Sequence, residues 1–531
     1  MALNPPFSST RAPHHMVASA DQLATQAGMT MLAMGGNAVD AAIATNAAIA
    51  VTAPHLCGMG GDLFALVHHH GEVHCLNASG RAGSGADPAV LRAEGHRVMP
   101  FRHDVRTVTM PGCVDGWVAL HERFATLPLS ALLAPAIHLA ETGFPASPLL
   151  VGSLAMLDAP GRSALRELAT QALRPGARVR RHGVGRALRA VADGGRSGHY
   201  EGAFGRGLLG LGGGWFTEAD LATRQAEWVT PLRAHAWDVD LWTVPPNSQG
   251  YLTLASAAVA DGLDLPPDPD DERWAHLLIE AAKVAGSDRP RVLHDHADGD
   301  ALLQAVAARA HLVDRDRSSA LAGRSGDGDT TYLCATSGDD TGGGGPRMGV
   351  SLIQSNASGF GSWVVEPSTG INLHNRGLGF SLEEGHPAEL RPGARPPHTL
   401  SPALATRGTD LAAVFGTMGG DGQPQILLQL AARLFHHGQS PAAAIQAGRW
   451  VLRGPATGFD TWTAAEGPTV AVEGNAPAEW ATALAARGHR TATAPAFDSG
   501  FGHAHAIVRD VEGFWSGAAD PRARVGSVAG G

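Results

Sequence analysis

Between the turn Gly35-Gly36-Asn37 and Ala50, an alanine-rich stretch carries Val39, Ile43, Ala47 and Ala50 at helical spacing, which predicts a helix buried inside the protein. Such a helix needs further layers to cover it. Ahead of the turn, Leu23, Ala27 and Met31 recur at the same spacing behind Asp21, a residue suited to cap a helix. Short apolar runs follow from Leu63 to Val67 and from Val73 to Leu76, and read as strands separated by a turn at His70-Gly71. Further helices are expected over residues 129–142 and 272–285. Helices and strands in this mixed order predict an α/β or α+β layered fold.

Composition removes several classes of function. The 531 residues allow a large core without deciding the number of domains, and no repeat of 20 to 50 residues is visible. The formal net charge of -10 is spread over both signs, with no run of five like charges to mark a nucleic-acid arm. Lys283 is the single lysine and follows no glycine-rich loop, which excludes a P-loop and leaves Schiff-base chemistry to that residue alone. The four cysteines have neither metal-ligand spacing nor the density of a disulfide scaffold. The first residues lack the basic and apolar regions of a secretory signal, and no segment reaches the roughly 18 apolar residues of a membrane span. A cytoplasmic protein with no nucleic-acid or membrane partner is expected.

Residues 323–329, GRSGDGD, contain no apolar side chain and predict an exposed, mobile loop that ends at Thr330. Beyond it Thr331, Leu333 and Ala335 alternate with Tyr332, Cys334 and Thr336, a strand pattern; the glycine run TGGGGPR leads to a second strand at Val350 to Gln354. A threonine hydroxyl is a weak nucleophile unless a base adjoins it, and one compact base is the residue's own α-amine once it becomes a chain terminus. The junction Asp329-Thr330 suits self-cleavage by that route, although a threonine pair at a strand head is also what β-propensity alone produces.

A wider pattern surrounds this junction. QAGMTMLAMGGNAVDAAIATNAAIAVTAPHLCGMGGDLFALV, TMPGCVDGW, PPNSQG and EAAKVAGSDR come before it, and GDTTYL, SLIQSN, FGS, RPPHTLSPA, GTMGGDGQPQ, AIQAGRW, GHAHAI and GAADPR span and follow it. In this order they resemble the gamma-glutamyltransferase superfamily of N-terminal nucleophile hydrolases, over almost the whole chain. The resemblance implies a four-layer αββα sandwich, no cofactor, and self-cleavage into residues 1–329 and 330–531 that remain one intertwined fold. It implies Thr330 as nucleophile, with the Ser355 hydroxyl where the family has a second threonine. It also implies Gly419 and Gly420 as the pair whose amides form the oxyanion hole, a task that needs close backbone approach to developing charge. A homodimer of processed heterodimers is its implied assembly.

The family's glutamyl pocket is not retained. The arginine that holds the substrate carboxylate falls at Ser79, with Arg81 two positions on, and the pocket asparagine falls near Ala357. The acidic pair that binds the substrate amine is replaced by Leu378-Gly379, and a serine pair by His398-Thr399. Tyr332 stands where the family usually has histidine. A buried ammonium without its carboxylate is costly, so the sequence predicts an acyl group lacking the amine, bound by Arg81, Arg376, His398 and Thr399. His398 is expected to orient substrate or accept a proton. His68-His69-His70 and His436-His437 resemble metal ligands, but neighbours on a strand face opposite ways and no metal site is expected. The implied activity is cleavage of a small-molecule amide, gamma-glutamyl or related, with water or an amine as acceptor. Oxamate- or cephalosporin-acylase-like cleavage, or C–C hydrolysis releasing an oxalyl group, are the alternatives within the class, and an unprocessed binding protein is the alternative outside it.

Overall fold

A computed structural model of the chain describes residues 8–319, 329–338, 347–454, 462 and 468–531. The expected mobile loop, up to residue 328, and most of the glycine run, 341–346, lie outside the described residues.

Local signals and structure agree closely at the start of the chain. Asp21 caps the helix Gln22–Ala33 by accepting from the amides of Leu23 and Ala24. Asn37 and Asp40 form a reciprocal capping box on Ala38–Thr52, and that helix is buried along its whole length. Its small side chains let neighbours approach on every side. The strands Asp62–His69 and Glu72–Ala78 pair antiparallel, and the helices Leu129–Thr142 and Glu272–Gly286 form where their spacing predicts.

Two seven-stranded sheets organise the molecule. One runs, in spatial order, Ser527–Gly530, Met16–Ser19, Asp329–Ser337, Met348–Ala357, Asp62–His69, Glu72–Ala78, Glu227–Val229; the other runs Thr10–Ala12, Trp515–Ala519, Ala504–Arg509, Asp410–Thr417, Ala403–Arg407, Val239–Thr243, Leu232–Ala236. An apolar cluster joins them face to face through Phe64, Tyr332 and Ile353 on the first sheet and Leu404, Val414 and Ile507 on the second. A second cluster packs Leu333, Val350 and Leu352 under the helices Ala38–Thr52 and Leu129–Thr142, and a third packs Ala405, Ala413 and Phe415 under Tyr251–Asp261, Glu272–Gly286 and Gln423–Ala431. The fold is an α+β sandwich of four layers, αββα. Both seven-stranded sheets draw strands from before and after position 330, so neither of the two is complete on one side of that position.

Among the described residues no helix is long and apolar enough to cross a membrane. The four cysteines are free and buried.

Candidate active site

Strand alternation decides which way Thr330 faces. In Asp329–Ser337, Leu333 and Ala335 enter the helix-side core while Tyr332 and Cys334 enter the core between the sheets, so Thr330 shares the inter-sheet face. The pairing with Met348–Ala357 slips here, from Asp329 opposite Ala357 to Thr331 opposite Gln354. Such a bulge bends the strand and re-aims the side chains beside it. Thr330 Oγ1 donates to Ser355 Oγ at 3.1 Å, and both residues are buried. Ala357, held at φ +74°, donates its amide to the same Ser355 oxygen at 2.7 Å, which fixes that hydroxyl against Thr330.

Asp62 lies directly opposite Ser355 in the sheet register and shares its face. Its Oδ1 accepts from the Gly80 amide at 2.9 Å, while Oδ2 meets His398 Nε2 at 3.0 Å and His374 Nδ1 at 3.3 Å. Burial works against charge on this carboxyl, but His374 and then His398 outweigh it and hold Asp62 well below the usual carboxylate range. Arg376 joins the group: Nε is 3.8 Å from Asp62, Nη2 donates to Ser355 Oγ at 3.3 Å and Nη1 to Thr399 Oγ1 at 3.1 Å. Burial lowers the guanidinium to about 10, against the opposing pull of Asp62 and Asp421, so it stays cationic at neutral pH.

His398 uses both ring nitrogens. The Leu400 amide donates to Nδ1 at 3.2 Å, which leaves the proton on Nε2 facing Asp62. Burial first, and then Arg376, bring its pKa to about 3. Of the two roles expected for it, this arrangement supplies orientation: a neutral imidazole clamped to Asp62.

Gly420 connects to Thr330 through hydrogen bonds that meet at Thr399. Gln249 Nε2 donates to the carbonyls of Thr399 at 3.0 Å and Gly420 at 3.1 Å, and Thr399, Arg376 and Ser355 carry the path on to Thr330. Gly419 has φ +139° and Gly420 φ +53°, values that favour glycine. Asp421, next in sequence, pairs with Arg289 at 3.2 Å.

Beside Thr399 opens a cavity of about 240 Å³, lined also by Leu378, Gly379, Phe380, Leu293, Arg97 and Arg289. A Cβ at position 379 would lie 2.3 Å from the Pro397 carbonyl oxygen. Any side chain there, an acidic one included, collides with backbone. Arg289 is largely buried, and its Nε has no hydrogen-bond partner among the described residues; a buried donor in that state costs about 1–3 kcal/mol.

Other positions lie apart from this network. Arg81 is half-buried, donates to Glu227 at 3.2 Å and to the Arg224 carbonyl at 3.4 Å, and lines a separate groove; the structure does not bring it to Thr330. Ser79 is buried and donates to Asn77 Oδ1 at 2.7 Å. Tyr332 points into the inter-sheet core, with its hydroxyl 2.9 Å from Ser351 Oγ. The backbone of Asp329 continues into the Thr330 strand.

Asp62, His374, Gln249 and Arg289 were not singled out from the sequence. Asp62, Gln249 and Arg289 stand inside the motifs GMGGD, PPNSQG and EAAKVAGSDR, and position within a motif was the available signal. One group of metal-ligand type also went unforeseen. His276, Glu280 and His489 place ligand atoms within 4.8 Å of one another. The Lys283 ammonium donates to Glu280 at 2.9 Å and lies 3.3 Å from His489 Nδ1, so the group already holds a cation. His436 ends a helical segment, Ala432–His436, so His436-His437 are not strand neighbours that face opposite ways.

A doubled sheet between helical layers, with paired hydroxyls at a strand head and a glycine turn tied to them, defines a hydrolase of the N-terminal nucleophile fold. The chain belongs to the gamma-glutamyltranspeptidase family, whose model matches residues 24–530. It is 36% identical to the oxamate amidohydrolase proenzyme of Klebsiella pneumoniae, over 98% of this chain and 99% of that protein. It is 33% identical to the glutathione hydrolase-like YwrD proenzyme of Bacillus subtilis, over 96% of this chain and 97% of that one. The crystal structure of cephalosporin acylase from Bacillus halodurans superposes with a TM-score of 0.89 at 32% identity, covering 100% of this chain and 98% of that chain. The chain is thus an amidohydrolase of this family.

Proposed function

We propose that the chain cuts itself between Asp329 and Thr330, and that the freed Thr330 hydrolyses amides of carboxylate-bearing acyl groups that lack an α-amine. The observation that carries the substrate assignment is the wall at Leu378-Gly379: an apolar side chain stands at one position, and backbone excludes any side chain at the other. A substrate ammonium would be desolvated there without a carboxylate partner. Oxamate, the substrate named for a relative 36% identical, is an amide with a free carboxylate and no α-amine.

In the self-cleavage step Thr330 Oγ attacks the Asp329 carbonyl, the peptide bond shifts to an ester, and water releases residues 1–329 from 330–531. In turnover the new α-amine takes the Thr330 hydroxyl proton as Oγ attacks the substrate carbonyl, and passes it to the leaving amine as the C–N bond breaks. The amides of Gly419 and Gly420 hold the oxyanion, and water then hydrolyses the ester to the free acid. Arg376 and Ser355 keep Thr330 Oγ aligned, while His398 and Thr399 shape the route to the acyl cavity. Four free, buried thiols suit a reducing compartment and support a cytoplasmic location.

A denaturing gel of purified protein should show two fragments with a new N-terminus at Thr330, and Thr330→Ala should remain one inactive chain. Glutaryl p-nitroanilide differs from γ-glutamyl p-nitroanilide only by the missing α-amine, and should be turned over about 10²-fold faster or more. An intact active chain would overturn the cleavage assignment, and preference for the γ-glutamyl anilide would overturn the substrate class.

A further inference from the structure

Arg289 joins the oxyanion turn to the acyl cavity. It opens the short helix Arg289–Val292, and its side chain reaches Asp421, the residue after Gly420, at 3.2 Å. Only 8% of its surface is exposed, yet it lines the cavity beside Thr399 and Leu378. Two features give that cavity a sign. None of the described residues lining it is acidic, and its other arginine, Arg97, is exposed. Asp421 engages one arm of the guanidinium, while Nε has no hydrogen-bond partner among the described residues. A guanidinium carries five donors in a planar fork, so one carboxylate does not saturate it.

The remaining arginines of the region are placed differently. Arg81 pairs with Glu227 in another groove. Arg376 bridges Ser355 and Thr399 next to the nucleophile, where the scissile carbonyl must sit. Arg289 shares the cavity with Thr399, whose hydroxyl Arg376 ties to Ser355 beside Thr330, and Leu378, Phe380 and Leu293 supply apolar wall. A polar group at one end, an apolar stretch and a cation at the other describe the shape of the ligand.

We propose that Arg289 receives the distal carboxylate of the acyl group, which makes the substrates monoamides of short dicarboxylic acids. The amide carbonyl lies at Thr330, the methylene chain crosses the apolar wall, and the carboxylate relieves the unpaired Nε in a largely dry site, where charge-assisted pairs are strongest. Arg97 at the mouth favours entry of the anion. The assignment rests on the amine-free substrate class and adds the residue that reads the other end.

The test uses processed, full-length enzyme with glutaryl p-nitroanilide and pentanoyl p-nitroanilide, which differ only by the carboxylate. Wild type should prefer the glutaryl compound, and Arg289→Gln should lower that preference by about 100-fold, mostly through KM. Equal losses on both anilides would overturn the proposal and leave Arg289 as a strut for Asp421. Should Arg289→Gln fail to process, Leu378→Glu sets a negative charge on the opposite wall. It should depress the glutaryl rate about 10-fold or more relative to the pentanoyl rate, and an unchanged ratio would overturn the proposal. The amine-free class fails separately, on the wild type alone, if γ-glutamyl p-nitroanilide outruns the glutaryl compound.

Discussion

Thr330 and Ser355 stand on two adjacent central strands, whereas the cavity proposed for the acyl group, linked to them through Thr399 and Arg376, is walled by irregular chain. The strands Asp329–Ser337 and Met348–Ala357 are paired along their length and covered on both faces. The cavity takes its walls from the short helix Arg289–Val292, the turn Arg376–Gly379 and the residues that follow it to Thr399. A ladder of backbone bonds holds reacting groups to a fraction of an ångström, while a loop can exchange side chains without disturbing that ladder. Members of this fold can therefore share a reaction and differ in substrate. The division is sharp at Arg376, which donates to Ser355 with one arm and to Thr399 with the other.

The largest test of this contrast falls on Gly419-Gly420, the turn proposed to hold the oxyanion. Gly419→Ala forces a side chain onto φ +139° and sets a Cβ 3.1 Å from Ile426 Cδ1. The strain of about 1–3 kcal/mol leaves the sandwich folded but turns the amides away from the developing charge. kcat for the glutaryl anilide should fall about 10²–10³-fold with little change in KM, as measured by steady-state kinetics on processed protein. A variant that keeps full kcat would remove Gly419 from the chemistry and dissolve the distinction between frame and pocket.

The next test addresses the pocket alone. Gly379→Asp puts an acid back where the family resemblance has the amine-binding pair, yet its Cβ meets the Pro397 carbonyl oxygen at 2.3 Å. We expect a loss of about 1–3 kcal/mol in denaturant midpoint experiments and no gain on γ-glutamyl p-nitroanilide. If the variant instead turned over the γ-glutamyl compound faster than wild type, the loop would accommodate the acid and the pocket would be one substitution from an amine-binding one.

The same contrast separates what the amino-acid sequence makes legible from what it does not. The direction of Thr330 follows from period-two alternation with Tyr332 and Leu333, and the glycine turn from its residue type. The helices at Gln22–Ala33 and Ala38–Thr52 follow from caps and spacing. Loop-built contacts carry no such period. His398 meets Asp62 across 336 positions, and Gln249 meets Gly420 across 171. Arg81 and Arg289 are alike as letters. Only packing shows that one leans on Glu227 at the surface and the other closes on Asp421 under the acyl cavity.

The smallest expected effect concerns how the two regions meet acid. His398 is neutral in the folded protein, with its pKa brought by burial and Arg376 to about 3, against an ordinary value near 6.5 in the unfolded chain. Below about pH 6.5 the unfolded chain binds a proton that the folded protein refuses, so stability is full above that pH and declines as pH falls toward 3. One proton bounds the slope at about 1.4 kcal/mol per pH unit. Asp62 acts with the same sign lower down: its folded pKa is depressed, so its contribution is present above about pH 4 and is lost below it. His398→Gln should therefore flatten the denaturant midpoint against pH between 6.5 and 4.5, by up to that one-proton slope, while the Asp62 limb below pH 4 persists. A slope unchanged by the substitution would mean that His398 is protonated in the folded protein. The Asp62 group would then carry one more positive charge beside Ser355 than its hydrogen bonds imply, and the loop side of the site would be electrostatically unlike the neutral clamp described above.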